Sequence, residues 1–406
     1  MRILHVTIFG DNQATGAAGA YDYCWRGISD WANVIVVKPG RVSSLKGAGQ
    51  RYQELSFAAP KLSDSSLFRN VARRLFRTRA PQIMADLDDF VRGTLLAFRL
   101  RGLISACDRV HSDSMWFTVI ASMSPTTRRK LVHTELAGDW KFVADGSADF
   151  LTYLSYGCLA RRVLNRVEVI AQSPVHAAYL VSCGVKRTGI RVVWHGRVDQ
   201  AVFRPTKPKA VGGFEILYVG RIVPQKGVHI LLRAVADLKS RILLKGFHVT
   251  IVGPVGEFGL SLTTSEYFEG LLRSAEGLGI APNVDFRRFV ALEELVDLYS
   301  AADVYVLPSL QDAFPFSVIE AMMCGTPVVG TDSGGMKEEI LDGVVGFVLP
   351  PGDSRSLADT LELLYNDRSR RAAMGESARI YALKRFSLEG FPKEMYDAVS
   401  QSSNGP

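Results

Sequence analysis

Two short segments carry charges and small residues in patterns that suit a phosphate ester. In the first, Gly220-Arg221-Ile-Val-Pro-Gln-Lys226-Gly227, two glycines allow close approach of the backbone to a ligand, and two cations stand nearby. A diphosphate carries about two negative charges near its leaving oxygen, and charge-assisted hydrogen bonds to it contribute roughly 1.5–3 kcal/mol each. Alone, this segment fits either an anion site or an exposed turn with ordinary surface charges.

The second segment, which begins at Asp312, combines a helix start with two acids. Pro315 suits the first position of a helix, so the backbone N–H groups of Phe316 and Ser317 would point, with the helix dipole, at an anion. Glu320 follows about 7 Å along the helix axis, an offset that roughly spans a diphosphate. One carboxylate would then accept hydrogen bonds from ribose hydroxyls while the other contacts a transferred sugar. Two unrelated surface acids are the alternative.

Both segments follow a predicted strand, at the end where open α/β sheets bind ligands. The first comes after Glu215–Val219 and the second after Val304–Leu307. Further short Val/Ile-rich runs, typical of parallel strands covered by helices on both faces, are His248–Val252, Val284–Arg287, Pro327–Gly330 and Gly346–Val348. The second half is therefore predicted to be a doubly wound α/β domain.

The first half shows the same alternation of strand and helix. Its predicted strands are Ile3–Thr7, Val34–Val37, Leu131–His133, Val169–Gln172 and Arg191–Trp194. A proline- and glycine-containing stretch with little periodicity, Asp199–Gly213, suits a linker. We predict an α/β fold of two Rossmann-like, doubly wound domains facing a central cleft. They span residues 1–200 and 201–387, and a C-terminal helix at about 388–406 completes the first.

Positive charge is concentrated in the first half of the chain. The net charge is +7, and residues 1–200 hold 27 lysines and arginines against 16 aspartates and glutamates, which implies an anionic surface or ligand on that side. Five arginines lie among apolar residues at near-helical spacing: Arg69, Arg73, Arg74, Arg77 and Arg79. This stretch fits attachment to an anionic membrane surface or, equally, a solvated face over its own core.

The composition is that of a globular protein. Hydrophobic residues make up 47% and charged residues 22% of the chain, and no apolar run approaches the roughly 18 residues that span a bilayer. The five cysteines stand singly, as is typical of a reducing compartment, and the polar start does not suit a signal peptide. We therefore expect a cytoplasmic protein, with the inner membrane face as the site of any peripheral attachment.

Five stretches in order resemble family 4 of the glycosyltransferases, the group 1 enzymes of GT-B fold. The resemblance covers roughly residues 169–383, and the N-terminal half is similar only in outline. The matching stretches are the loop Gly16-Ala-Ala-Gly19-Ala-Tyr21, the turn His195-Gly-Arg-Val-Asp199, Leu217-Tyr-Val-Gly-Arg221 with Lys226-Gly227, the acidic-x7-acidic pair Asp312 and Glu320, and the GG-x-x-E segment from Gly334.

This resemblance implies a retaining, metal-independent transfer of a sugar from a UDP- or GDP-linked donor to a glycan, glycolipid or small-molecule acceptor. Arg221 and Lys226 would stabilise the departing diphosphate, Asp312 would contact the sugar, and Glu320 would hold the ribose. His133 matches the family's histidine near the sugar. The other donor-binding residues that it implies are Gly16, Gly19, Gly220, Arg288, Phe289, Phe314, Phe316 and Ser317. No metal, cofactor or nucleic-acid partner is expected.

Three residues depart from the family pattern. Asp312 stands where glutamate is usual, Pro315 where glycine is frequent, and His195 where asparagine is usual. The shorter acid changes the reach to the sugar, and the proline removes one backbone donor. A nucleotide-sugar epimerase on the same fold, and a non-catalytic protein that binds a nucleotide sugar or a membrane surface, are the alternative functions.

Overall fold

The computed structural model divides the chain into two compact units. It describes residues 1–7, 17–39, 46–47, 51–57, 80–135, 158–195, 197–209, 212–241, 246–255, 263–312 and 314–401. The first unit is Met1–His195 together with Glu389–Pro406, and the second is Gly196–Leu388. No described helix is both long enough and apolar enough to cross a bilayer.

The first unit is built on an eight-stranded sheet, of order β3-β4-β2-β1-β5-β6-β7-β8. The strands are β1 (Arg2–Val6), β2 (Asn33–Pro39), β3 (Lys46–Gly47), β4 (Tyr52–Phe57), β5 (Arg109–Ser112), β6 (Leu131–Glu135), β7 (Glu168–Ala171) and β8 (Ile190–Val192). All neighbours are parallel except β3 and β4. Apart from Arg2, the side chains of β1, β5, β6 and β7 are buried, as expected of strands with helices on both faces.

The helices of the first unit come from both ends of the chain. They are α1 (Ala17–Ile28), α2 (Ala80–Arg99), α3 (Arg101–Ala106), α4 (Met115–Ala121), α5 (Pro125–Arg128), α6 (Arg161–Leu164), α7 (Pro174–Ser182) and α15 (Phe391–Ser400). Helix α15 lies against α1 so closely that a Cβ on Gly27 would come within 2.6 Å of Pro392. Its last carbonyls accept hydrogen bonds from the guanidinium groups of Arg109 and Arg191, which suits the negative end of a helix dipole.

The second unit has a six-stranded parallel sheet, of order β11-β10-β9-β12-β13-β14. The strands are β9 (Phe214–Val219), β10 (Phe247–Val252), β11 (Val284–Arg287), β12 (Val304–Val306), β13 (Val328–Thr331) and β14 (Gly346–Leu349). Counted within the unit, this order is 3-2-1-4-5-6, that of a doubly wound nucleotide-binding sheet. The strand order therefore reverses between β9 and β12.

Helices cover both faces of this second sheet. They are α8 (Val228–Arg241), α9 (Thr263–Gly277), α10 (Leu292–Ala301), α11 (Phe316–Met323), α12 (Met336–Glu339), α13 (Ser354–Asn366) and α14 (Arg368–Phe386). Strand residues such as Ile216 and Val304 are inaccessible to solvent, as are Leu231 of α8 and Met322 of α11. Burying one such side chain contributes about 1.5–3 kcal/mol, so a common core fixes the strand ends that carry the candidate site.

Strand β5 is absent from the prediction made on the sequence, because three of its four residues are polar although they are buried. Arg109 forms an ion pair with Glu168 at 3.3 Å. His111 lies 2.9 Å from His5 and 2.6 Å from Thr134. These partners, on the neighbouring strands β1 and β6 and on β7 beyond them, replace water, so the strand needs no apolar run and leaves no hydrophobic signal. Strands β3 and β4, at the sheet edge, were also missed.

Candidate active site

The two segments singled out in the sequence meet where the strand order of the second unit reverses. Strands β9 and β12 are adjacent and parallel, with Ile216 opposite Val304 and Leu217 opposite Tyr305. The loops that follow them therefore leave the sheet side by side at its carboxyl edge. Doubly wound sheets bind ligands in the crevice at this switch point.

The loop after β9 is held against its neighbour by backbone contacts. The N–H of Gly220 donates to the carbonyl of Val252 at 2.9 Å. Gly253 has φ of +153°, and a Cβ there would lie 1.9 Å from the carbonyl oxygen of Gly220, so only glycine fits. The hydroxyl of Tyr218 donates to the carbonyl of Arg221 at 2.8 Å, which fixes the backbone that carries this arginine.

The same loop is joined to the one that follows β12. Gly227 ends the short 3₁₀ helix Pro224–Lys226 with φ of +74°, and a Cβ on it would lie 2.0 Å from the carbonyl oxygen of Pro308. In the opposite direction, the N–H of Leu310 donates to the carbonyl of Gln225 at 2.8 Å. This double contact brings the end of the first segment to the start of the second.

Lys226 and Asp312 form an ion pair as a result of this contact. Their side chains are 15% and 9% exposed, so the pair is largely shielded from water. Asp312 also accepts a hydrogen bond from Ser309 at 3.3 Å. The guanidinium of Arg221 has no hydrogen bond or ion pair with the part of the chain that the structure describes. The loop thus presents one paired and one unpaired cation at the same edge of the sheet.

Helix α11 begins beside this pair, one residue later than predicted. Pro315 is its N-cap and not its first helical residue, because its extended ψ of 108° keeps it outside the helix. No side chain caps this end, and the N–H groups of Phe316 and Ser317 donate to none of the described residues. The hydroxyl of Tyr305 lies 2.7 Å from Ser317 Oγ and 3.0 Å from the carbonyl of Val219, and so ties the helix start to the end of β9.

Glu320 lies one turn into α11 and is held by a tyrosine. The hydroxyl of Tyr299, from α10, donates to Glu320 Oε2 at 2.8 Å. Burial raises the pKa of Glu320 to about 7, and the hydrogen bond from Tyr299 opposes that rise. This acid therefore changes charge near neutral pH, unlike an ordinary glutamate.

The remaining predicted residues of the second unit lie around the same sheet edge. Phe314 packs edge-on against Phe316 and Phe386, with ring centroids 6.4 and 6.3 Å apart. Arg288 and Phe289 directly follow β11. The guanidinium of Arg288 stacks over a ring of α9 at 5.4 Å, and Phe289 is 90% exposed, which is unusual for so large an apolar side chain.

The residues predicted in the first unit are only partly described. His133 is buried in the middle of β6, which continues two residues beyond the predicted strand end, with Thr118 Oγ1 at 2.9 Å from Nδ1 and Glu135 Oε2 at 3.2 Å from Nε2. Gly19 lies in α1, and Gly16 falls outside the described residues. The five arginines of the predicted basic helix, Arg69, Arg73, Arg74, Arg77 and Arg79, also fall outside them.

One acid of the site was not singled out from the sequence. Glu339, the last residue of α12, is fully buried, and neither carboxyl oxygen has a hydrogen-bond partner. Burial raises its pKa well above the ordinary value, Asp312 and Glu338 raise it further, and Lys226 acts against them. In the sequence, Glu339 follows Glu338 in a polar turn, which gives no signal of burial.

Replacing Glu339 by glutamine is expected to flatten the pH dependence of stability. Glu339 is ionised above about pH 4.3 in the unfolded chain but protonated in the folded one, so its contribution is present at low pH and lost as pH rises toward the folded pKa. One such group changes the free energy of unfolding by at most about 1.4 kcal/mol per pH unit. Thermal unfolding midpoints at pH 5 and pH 8 measure the effect. The expectation is contradicted if the unfolding midpoint of Glu339→Gln changes with pH as much as that of wild type. It is also contradicted if the exposed Glu376→Gln control shows the same flattening.

Comparison with known proteins shows which family the second unit resembles. The family described as "Glycosyl transferases group 1" matches residues 199–381, which include both switch-point segments. Residues 199–381 of the second unit are therefore similar to the group 1 glycosyltransferases. A D-inositol 3-phosphate glycosyltransferase of Arthrobacter sp. (strain FB24) is 35% identical over 231 residues, which are 55% of this chain and 53% of the relative. That of Corynebacterium jeikeium (strain K411) is 38% identical over 180 residues, 44% and 41% of the two chains.

The chain spans about half the length of the curated relatives it matches. Solved structures are similar over nearly all of it. The sucrose-phosphate synthase of Thermosynechococcus elongatus has a TM-score of 0.73 at 20% identity and covers 99% of this chain and 98% of its own. Anabaena Alr3699/HepE in complex with UDP and glucose has a TM-score of 0.69 at 20% identity, with 98% and 99% covered. These likenesses confirm the predicted α/β fold of two Rossmann-like domains, the GT-B class.

Proposed function

We propose that this protein transfers a sugar, with retention of anomeric configuration, from a nucleotide-diphosphate donor to an acceptor. The observation that carries the proposal is the meeting of Arg221, Lys226 and Asp312 beside the uncapped start of α11, at the switch point of a nucleotide-binding sheet. Two cations, free N–H groups and a helix dipole fit a diphosphate, and the acid fits sugar hydroxyls.

The leaving group determines the role of the two cations. As the bond between the sugar and the diphosphate breaks, negative charge develops on the departing oxygen. The guanidinium of Arg221 and the ammonium of Lys226 would stabilise that charge, together with the N–H groups of Phe316 and Ser317. The contacts of Gly227 and Gly253 fix the backbone that carries Lys226 and Arg221. Little reorganisation of these two cations therefore accompanies the reaction.

Donor binding would exchange partners at the ion pair. In the free protein Lys226 is bound to Asp312. A diphosphate carries more charge than one carboxylate and would draw the ammonium away, which leaves Asp312 to accept hydrogen bonds from the sugar. Asp312 would thereby orient the anomeric carbon, and its attachment to Ser309 limits how far it moves.

Retention follows from attack on the face that the diphosphate leaves. The acceptor hydroxyl would form the new bond to the anomeric carbon as the bond to the diphosphate oxygen breaks, and its proton would pass to that oxygen. No metal is required in this scheme, because the two cations and the helix start supply the positive charge. We therefore expect turnover to persist in EDTA.

The acceptor belongs to the first unit in this proposal. The two relatives reported above are named for an inositol phosphate acceptor. The excess of basic residues in the first half of this chain would favour a phosphorylated or otherwise anionic acceptor. Attachment to an anionic membrane through Arg69 to Arg79 stays a prediction, which sedimentation with anionic liposomes tests by charge reversal of Arg73, Arg74 and Arg77.

A panel of nucleotide sugars tests the function. We expect one or two of UDP-, GDP-, ADP- and dTDP-sugars to raise the thermal unfolding midpoint, since a ligand at 100 times its Kd stabilises by about 2.7 kcal/mol. The selected donor is then incubated with candidate acceptors, and the anomeric configuration of the product is read by NMR. An epimerised donor, or binding without transfer or hydrolysis, would overturn the proposal in favour of an epimerase or a binding protein.

Donor affinity is expected to fall as the pH drops through about 7. The ionised carboxylate of Glu320 only accepts hydrogen bonds, so it can accept two from a ribose diol, whereas the protonated acid carries an O–H that itself needs an acceptor. Burial raises the pKa of Glu320 to about 7. One proton is then linked to binding, so Kd rises up to about tenfold between pH 8 and pH 6. Calorimetry with a nucleotide sugar measures this, because its diphosphate does not titrate in that range. A Glu320→Gln variant that keeps the same pH dependence would contradict the assignment.

A further inference from the structure

Tyr299 is buried in the second unit, and its hydroxyl contacts the acid of the candidate site. Its side chain is inaccessible to solvent, and its ring packs against Phe203 and Tyr305 with centroids 6.2 and 5.8 Å apart. The carbonyl of Tyr299 accepts a hydrogen bond from Thr326 Oγ1 at 2.6 Å. Backbone and ring are thus both held, and the hydroxyl, which donates to Glu320 Oε2 at 2.8 Å, has a fixed position.

The hydrogen bond of Tyr299 leaves one oxygen of Glu320 for a ligand. Oε2 is occupied by the tyrosine, while Oε1 accepts no hydrogen bond from the described residues, and the glutamate is only partly buried. A carboxylate anchored through one oxygen has a restricted rotation, so the other oxygen points in a defined direction. A donor hydrogen also stabilises the ionised carboxylate more than the protonated acid.

We propose that Tyr299 is a positioning residue for the nucleotide sugar, which aims Glu320 Oε1 at the ribose and favours the carboxylate form of this side chain. The proposal rests on the transferase function given above. Tyr299 itself touches no substrate, and it acts through Glu320.

Among the described residues, the groups that face Glu320 do not titrate near neutral pH. The titratable groups that face it are Tyr299 from α10, Tyr305 from β12 and Cys324 from α11. Burial raises the pKa of both tyrosines well above the ordinary value and that of Cys324 to about 12, so all three stay neutral between about pH 5.5 and pH 9. None of these three groups therefore accounts for a change in the pH profile over this range.

The Tyr299→Phe variant tests the proposal, since it removes one oxygen and preserves the ring. Loss of the donor is expected to move the acid limb of kcat/KM upward by about one pH unit, the equivalent of one modest hydrogen bond. The donor KM should rise about fivefold at pH 7 but less than twofold at pH 9, with kcat within twofold of wild type. Tyr52→Phe in the first unit, which also loses a buried hydroxyl that donates to a glutamate (Glu54 Oε1 at 2.7 Å), is the matched control and should leave the limb in place.

Carboxyl titration by NMR gives a second readout that needs no ligand. In protein labelled with ¹³C at the glutamate carboxyls, the resonance that disappears in Glu320→Gln belongs to Glu320, and its titration should move upward in Tyr299→Phe. An unmoved acid limb and an unmoved titration, or a KM raised equally at every pH, would overturn the role of Tyr299 in an active enzyme. A wild-type chain that binds no nucleotide sugar would instead overturn the proposed function itself, and with it this donor role.

Discussion

Replacing Arg221 or Lys226 by alanine is expected to lower kcat/KM by about 100- to 1,000-fold in each case. Each variant would lack one contact to the negative charge that develops fully only as the diphosphate departs. Removing one such donor costs about 2.7–4 kcal/mol of transition-state stabilisation. Steady-state kinetics with the donor chosen by the thermal-shift panel measure the effect. Since both cations act on one leaving group, the double variant should lose less than the product of the single losses.

The two variants should differ in stability although they resemble each other in activity. Arg221 has no ion pair with the described residues, so its removal should leave the unfolding midpoint of the free protein near that of wild type. Lys226→Ala removes the counter-ion of Asp312, whose side chain is largely shielded from water, and should therefore lower the unfolding midpoint. The exposed Lys239→Ala is the control for loss of a cation. Turnover within about threefold of wild type in either site variant would end the assignment of the diphosphate.

Gly227→Ala is expected to destabilise the second unit by more than about 4 kcal/mol. The residue combines φ of +74° with a Cβ position 2.0 Å from the carbonyl oxygen of Pro308, a backbone atom that cannot yield without separating the two site loops. Gly343 is a matched control, because its φ is also +74° and a Cβ there would meet nothing within 4 Å. Gly343→Ala should therefore cost only the conformational strain, about 1–2 kcal/mol.

Chemical unfolding of the two glycine variants separates contact from strain. A loss in Gly227→Ala several times that in Gly343→Ala supports the close contact between the loops. Equal losses would mean that the loops are not in contact, and the route by which Lys226 reaches Asp312 would be wrong. The activity of any folded Gly227→Ala protein should fall with that of Lys226→Ala, since both changes disturb the same cation.

The sequence predicted the switch-point site because its signals are local. Gly220, Arg221 and Lys226 follow an apolar strand within one loop, and Asp312 and Glu320 flank one helix start, so strand ends and helix geometry are sufficient to place them. The α/β alternation was readable for the same reason. Strand β5 was not, since most of its buried residues are polar and their partners lie on strands distant in sequence.

Pairing within the site could not be predicted from the sequence. The ion pair between Lys226 and Asp312 joins residues 86 positions apart and depends on a glycine that lets two loops touch. The hydrogen bond from Tyr299 to Glu320 joins neighbouring helices whose packing depends on the whole core. The buried position of Glu339 likewise follows from how α12 docks, which no short pattern in the chain specifies.

A crystal structure of the protein with its selected nucleotide sugar tests the central claim most directly. We expect the diphosphate within hydrogen-bond distance of Arg221, Lys226 and the N–H groups at the start of α11, with Lys226 released from Asp312 and a ribose hydroxyl on Glu320. A nucleotide sugar bound with its diphosphate out of reach of both cations would contradict the account.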